Sequence, residues 1–597
     1  MRLTPLLIVL AYTTALVPHS LAATAPPARV RVFDTIRPSA ALSDRDGWKA
    51  VPPGDTAYAF QGDAVVLTGA LTVAFLPQGQ IALHGAGRAP ERRIVVETVP
   101  AVKAETSLAI ESYSDSKARI RVLRTTPSGR LPSVICSMVL GQPLVRVESD
   151  TPGVRVRVTA PARFVVVPDF FANDLVVDGR MFPAPVGELA ADHLLLHMLG
   201  DGDALATIVR RKASRDVIVD VTGQGASRRI KASTVALEKD DAVWVALQER
   251  AGIWHTRAIA KNEEGQIIPL DWQRPFPAQW RVDWRRDDGL TSSWEIAVPG
   301  RHGEFRCYGG VVPSHWVSWP TRKRYTPVLH QHAYPCWFDR GGAAFLQPLG
   351  RKHAQGFDGP AVIYPIDRVE QTPLGAYTLV DITRLALGVG PCQYVLDVEG
   401  QRAVTLGKNT CATARDLRVI YQSGQQVRRQ ADIEKALDDV IAFIRHIRKR
   451  IDAYLAFAKA AQAYLAEQKE AQPALARPLA DLDAIVAKID QRYARRRGII
   501  GSVQDAEKLA EEFRTTLIVA PSKTVKDRAF AITGSWQMAG QHQDELVSEC
   551  REIVRNFRQQ AALAAVSDAR LNPIVRELRA RTHQVLRGPV AQEYPRN

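Results

Sequence analysis

Val154-Arg155-Val156-Arg157-Val158 alternates apolar and charged side chains residue by residue. A strand turns successive side chains to opposite faces, so this stretch presents valine to a core and arginine to water. Arg29 to Phe33 and Arg119 to Val122 repeat the pattern, between clusters of Gly, Pro, Asp and Ser. Segments of this kind recur up to about residue 425 and predict large antiparallel sheets of the sandwich type. One stretch there, around Ala190 to Leu199, reads as a short helix.

Beyond residue 425 the period changes. Ile433, Leu437, Val440, Ile444, Ile447, Ile451, Tyr454, Ala458, Ala461 and Leu465 alternate in steps of four and three, the seam of a coiled coil. Leu475, Leu479, Leu482, Val486, Ile489 and Tyr493 repeat it after Pro473, with Pro478 near the helix start and Gly498 closing the run. The two helices are expected to form a hairpin. Further helices over about Val503 to Val519, Gln543 to Val566 and Ile574 to Leu586 make the tail a bundle of four or five helices. The fold class is therefore mainly β followed by α. The expected divisions are a signal peptide (1–22), an N-terminal β-sandwich region (23–140), a second β-sandwich region carrying the site (141–424) and an autonomous helical bundle (425–597).

Arg2, the apolar run from Leu6 to Val17 and the small residues of Ser20-Leu21-Ala22 read as a secretory signal peptide cut near Ala22. The expected location is periplasmic or extracellular. No later apolar run reaches the roughly 18 residues that a membrane span needs. In an oxidising compartment Cys307 with Cys336 and Cys392 with Cys411 are the local pairings to expect, while Cys550 sits at an apolar helix position as a core thiol.

Net charge is +15 over 597 residues, and from residue 401 onward 33 Lys and Arg face 23 Asp and Glu. That balance favours anionic partners. Export and the absence of a nucleic-acid motif exclude DNA and RNA and leave acidic polysaccharide. The helical tail offers a surface for self-association.

Nine of the eleven tryptophans fall between Trp244 and Trp337, with His255, His302, His315, His330, His332 and His353 in or beside the same stretch. In Pro313-Ser314-His315-Trp316-Val317-Ser318-Trp319-Pro320, alternation sets His315 and Trp319 on one side and Trp316 on the other. Arg322, Arg324 and Tyr325 follow, then His330, His332, Tyr334 and Trp337; on a strand, His330, His332 and Tyr334 share one face. Elimination of a uronic-acid polymer needs a base, a group that neutralises the carboxylate and an acid for the leaving oxygen. His332 or His315 fits the base, Arg322 or Arg324 the neutraliser, and Tyr325 or Tyr334 the acid, with Trp316, Trp319 and Trp337 as stacking surfaces.

Two other chemistries fit the same stretch. His330-x-His332 can place two imidazoles on one divalent ion, zinc or calcium, with His315, His353 or Asp339 as a third ligand. Hydrolysis by paired carboxylates can draw on Asp271, Asp283, Asp287, Asp288, Glu295, Glu304 and Asp339, but spacing selects no pair. Against all three stands a plain alternative, that the aromatics fill the space between two sheets and the histidines satisfy buried backbone groups. Elsewhere, Asp169, Asn173, Asp174 and Asp178 surround Phe170 and Phe171 in a composition able to bind calcium or sugar hydroxyls, and equally able to be a turn. Tyr364 to Arg368 and Gly388 to Pro391 read as strand ends and turns.

In its plan, residues 30 to 420 resemble carbohydrate-processing proteins built on the galactose-mutarotase-like β-supersandwich. That resemblance implies a polysaccharide lyase or a glycoside hydrolase. In the lyases the helical module is larger and usually precedes the sandwich, whereas here it follows. A non-catalytic glycan-binding or cell-surface structural protein is the other class the sequence fits.

Overall fold

A computed structural model describes residues 29–37, 47–85, 94–99, 104–168, 174–182, 185–189, 191, 193–212, 216–286, 291–299, 335–348, 357–369, 372–390, 430–495, 546–547 and 549–587. Residues 305–306, 317–318, 328–329, 332–333, 358 and 430–447 are described as backbone alone. The expected signal peptide, Cys307, Cys392, Cys411, the helix expected over Val503 to Val519 and both expected disulfide pairings lie outside the described residues.

The chain is mainly antiparallel β followed by α. Strands from Arg31–Asp34 to Ala242–Glu249 join in one 19-stranded hydrogen-bonded system. Its organising element is the 14-residue strand Val154–Val167, in which the alternation of the sequence becomes alternation of burial. Val154, Val156 and Val158 sit in the core, while Arg157 reaches Glu97 at 3.5 Å and Asp220 at 2.5 Å on the outer face. The first half of this strand pairs with Ile94–Val99 and Arg229–Leu237, the second half with Leu175–Asp178 and Leu194–Leu199. The change of partners falls at Pro161, which has no amide proton to give a ladder. Register against Arg229–Leu237 shifts there, with Thr159 opposite Ala232 and Ala162 opposite Ile230.

His197 closes that irregularity from the neighbouring strand. Its Nδ1 donates to Ala160 O at 2.8 Å, and its Nε2 lies 2.8 Å from the Ser233 hydroxyl, so both ring nitrogens are engaged. The helix expected over Ala190 to Leu199 is in fact this strand, Leu194–Leu199, buried at every position. A continuous apolar run such as Leu194-Leu195-Leu196-His197-Met198-Leu199 has no period with which to tell a helix from a two-sided strand. The N-terminal strand is held by Asp34, whose carboxylate accepts from the amides of Ile36, Gln61 and Gly62 and from the Tyr58 hydroxyl. Burial works against the charge, but these donors outweigh it and hold the carboxyl below its ordinary range.

A second layer follows. The four-stranded antiparallel sheet runs His255–Ile259, Phe357–Arg368, Ala278–Arg286 and Thr291–Glu295 in spatial order, and a three-stranded sheet of Ile268–Gln273, Ala343–Leu346 and Cys336–Phe338 packs beside it. Their shared core contains Trp254, Trp272, Trp280, Trp284, Trp294 and Trp337, together with Phe164, Val166 and Leu196 of the large sheet. The helix Leu379–Leu387 starts at Thr378, which accepts from the Asp381 amide, and ends at Gly388 in the left-handed region. Gly388 is thus a helix cap rather than a strand end. Ile382 and Ala386 of this helix pack on Leu144, Leu194 and Trp244.

The tail is helical, with a long helix Gln430–Ala471 and helices over 476–495, 549–567 and Asn572–Arg587. Ile451, Tyr454, Ala458, Ala461 and Leu465 share a core with Leu475, Leu479, Leu482, Val486 and Ile489, the pairing of the two expected helices. Cys550 is buried in the same core. Helix 549–567 then docks on the β-layers. Arg558 meets Asp216 at 2.7 Å, Arg286 donates to Glu549 at 3.2 Å, the Thr291 amide donates to Glu552 at 2.6 Å, and Leu563 joins the core of the large sheet. In an isolated tail fragment these charges and Leu563 would face water instead of their β-side partners.

Burial lowers the His197 pKa from 6.5 to about 4, against the backbone hydrogen bond that favours the cation. The folded state therefore refuses a proton that the unfolded chain accepts below about 6.5. Stability is complete above that pH and falls on acidification toward 4, by about 3 kcal/mol from this group. Urea unfolding between those pH values should show His197→Gln with a shallower acid loss than the wild type. Equal slopes would contradict the assignment.

Candidate functional site

Trp280-Arg281-Val282-Asp283-Trp284 places two kinds of side chain on two faces of the four-stranded sheet. Trp280, Val282 and Trp284 enter the apolar core, where Trp294 and Ile363 lie opposite Val282 on the flanking strands. The other face carries charge. Arg281 lies between Tyr364 and Glu295, and Asp283 between Val362 and Ser293. Strand pairing alone thus gathers an arginine, a tyrosine, a serine and two acids into two adjacent rows.

Asp174, which immediately precedes the strand Leu175–Asp178 of the large sheet, closes over this face. Arg281 Nη1 donates to both of its carboxylate oxygens, at 2.9 and 2.8 Å. The Asp174 amide donates to Ser293 Oγ at 2.9 Å, and Ser293 Oγ donates to Asp283 Oδ1 at 2.6 Å. The Tyr364 hydroxyl stands between the two acids, in contact with Asp174 Oδ2 and 2.7 Å from Asp283 Oδ2.

Burial sets the protonation of the group. Asp283 is pushed well above the ordinary carboxyl range, by burial first and by the negative charge of Asp174 second, with Arg281, Ser293 and Tyr364 opposing. Tyr364 is raised by burial and then by the two acids. For Arg281, burial works against the cation, but Asp174, Tyr364 and Asp283 outweigh it and raise its pKa. The arrangement can hold and pass a proton between two carboxyl groups through a phenol. It is closed to solvent, since Asp174, Arg281, Asp283, Ser293, Glu295 and Tyr364 are each at most 8% exposed. Two carboxyl groups in contact with one hydroxyl leave no room between them for a sugar ring, which paired-carboxylate hydrolysis requires.

Of the residues singled out in the sequence, His315, Trp316, Trp319, Arg322, Arg324, Tyr325, His330 and Tyr334 lie outside the described residues. His332 is described by its backbone, in the strand His332–Ala333 between Val317–Ser318 and Val328–Leu329, with Ser318 and Leu329 opposite it. Trp337 is 7% exposed and stacked on Phe345 with ring centroids 5.7 Å apart, so it serves the core and not a cleft rim. Trp244, Trp254, Trp272, Trp280, Trp284 and Trp294 are buried too. His255 is half-buried against the Trp272 ring, and burial lowers its pKa.

Asp271 is exposed, Asp339 accepts from the Ala343 amide in a turn, and Asp287, Asp288 and Glu304 lie outside the described residues. Asp178 accepts from the Arg180 amide and pairs with Arg163 at 3.1 Å. Together with the Arg281 pairing of Asp174, this takes Asp174 and Asp178 into protein contacts, while Asp169 and Asn173 lie outside the described residues. Among the described residues no group of three or more His, Cys, Asp or Glu is placed to hold a metal ion. Arg281 and the role of Tyr364 were missed by sequence reasoning. The available signal was the charged residues set between tryptophans in 280–284, since a buried strand carries charge only where a partner meets it.

No family model and no curated protein matches this chain. Among solved structures it is similar to a glycoside hydrolase family 81 protein from Clostridium thermocellum, at 13% identity and a TM-score of 0.23 over 72% of this chain. The chain spans about half of that protein's length, 51%.

Replacing Arg281 by Met keeps bulk and removes the cation, leaving the Asp174 carboxylate buried without its guanidinium. We expect a loss of about 3–5 kcal/mol in denaturant unfolding, the range for breaking a buried ion pair. A loss below about 1 kcal/mol would show that the pair does not hold these layers.

Proposed function

We propose that the chain is an exported, carbohydrate-active protein that acts on or binds an acidic polysaccharide through the segment from His315 to Trp337. The observation that supports this reading is the anchorage of the strand Cys336–Phe338 in which that segment ends. Trp337 bridges Ala297 in parallel, the Phe338 amide donates to Ala297 O at 2.8 Å, and Cys336 Sγ approaches Glu295 O at 3.8 Å. The strand Cys336–Phe338, which follows the histidine- and arginine-rich segment in the sequence, therefore lies against the end of the strand that carries Glu295. A site needs such support.

The chemistry is β-elimination from a uronic-acid polymer. His332 or His315 removes the proton beside the carboxylate, Arg322 or Arg324 neutralises it, and Tyr325 or Tyr334 protonates the leaving oxygen. Trp316 and Trp319 supply stacking faces, and the net charge of +15 supports an anionic polymer. A second reading, a structural cell-surface protein without turnover, is favoured by the burial of the described tryptophans in the same region. Closure of the Asp174 and Asp283 pair weighs against hydrolysis.

Incubation with a panel of acidic and neutral polysaccharides separates these readings. Unsaturated uronide absorbance marks elimination, reducing ends without it mark hydrolysis, and salt-sensitive binding without either marks a binding protein. For elimination, His332→Ala should lower turnover by about two to four orders of magnitude with the fold intact. Full activity in that variant would remove His332 from the chemistry. Loss with chelator and recovery with zinc would reassign it, with His330, to a metal.

A further inference from the structure

The hydroxyl of Tyr364 has one proton and touches a carboxyl oxygen on each side, Asp174 Oδ2 and Asp283 Oδ2. One phenolic proton cannot serve both contacts. If both acids were ionised, one carboxylate oxygen would face the phenol oxygen with no hydrogen between them, a repulsive contact in a buried site. A second proton is therefore needed, and its position follows from the partners. Asp174 receives two hydrogen bonds from Arg281 and is the acid that stays ionised. Among the described residues Asp283 meets two hydroxyl groups, Ser293 and Tyr364, and no cation at hydrogen-bond distance.

We infer that Asp283 carries this proton at neutral pH and that the run from Asp283 through Tyr364 to Asp174 is a proton-dependent lock between the second β-layer and the large sheet. Asp283 Oδ2–H donates to Tyr364 Oη, and Tyr364 Oη–H donates to Asp174. Asp283 and Tyr364 belong to the four-stranded sheet, whereas Asp174 belongs to the edge of the large one. The groups that face Asp283 are Ser293 on one flanking strand, Tyr364 on the other, Arg281 and Glu295 in the adjacent row, and Asp174 from the covering segment. Loss of the proton leaves two negative carboxylates competing for one donor. The lock is closed in acid and neutral solution and opens as pH rises.

The sign is set by linkage. The folded state binds this proton more tightly than the unfolded chain, so its contribution is complete below the unfolded carboxyl range and is lost as pH rises through the folded one. Across that window the folding equilibrium falls by about tenfold per pH unit for one proton.

The test compares the full chain with Asp283→Asn, whose amide can donate to Tyr364 at every pH. Urea unfolding from about pH 5 to pH 9 should show the wild-type folding equilibrium falling more steeply than that of D283N, by about tenfold per unit over at least one unit. His197 is present in both proteins and cancels. Parallel pH profiles overturn the inference. If D283N does not fold, infrared spectroscopy of the wild type decides. A protonated-carboxyl stretch at pH 7 that disappears in alkaline solution supports the lock, and its absence at pH 7 overturns it.

Discussion

A guanidinium cannot be taken out of water alone. Arg281 sits in the middle of a buried strand, and the cost of its burial is offset first by Asp174, which stands 107 residues earlier beside another sheet. Given that pair, the strand Ala278–Arg286 can turn its tryptophans to one face and its charges to the other without leaving either face in the wrong medium. The second β-layer is fixed against the first in position and in register. Buried ion pairs add little net stability over well-packed apolar groups, but breaking one is costly. The cluster therefore specifies an arrangement more than it strengthens it.

The same logic extends to the helical tail. Glu549, Glu552 and Arg558 are all buried and point to Arg286, the Thr291 amide and Asp216, so helix 549–567 touches both β-layers through charge. Leu563 adds an apolar contact with the large sheet. Two buried groups then give the β-layers opposite responses to pH. His197 must remain neutral beside the irregularity at Pro161, which works against acid, while Asp283 must remain protonated, which works against alkali.

Much of the fold was legible because period reports burial. The valines and arginines of 154–158 predicted their own faces, and the apolar steps from Ile451 to Leu465 and from Leu475 to Ile489 predicted a shared helical core. Leu194 to Leu199 was misread because a strand buried on both faces has no period. The tryptophans were legible as a cluster, and the described ones are core, as the plain alternative held. Asp174 and Asp283 were both noticed as acids, yet nothing local joins residues 109 positions apart. Only the pairing of strands brings them to one phenol. Tyr364 looked like a strand end because its neighbours, not its own pattern, make it a bridge.

The central claim is that Arg281 and Asp174 act as one unit across the two β-layers, and a double-mutant cycle tests it most directly. Unfolding free energies of wild type, Arg281→Met, Asp174→Asn and the double variant give the coupling, free of each substitution's own cost. The account predicts a coupling of about 2–3 kcal/mol, with the double variant closer to wild type than the sum of the single losses. Additive losses, with a coupling near zero, would contradict it.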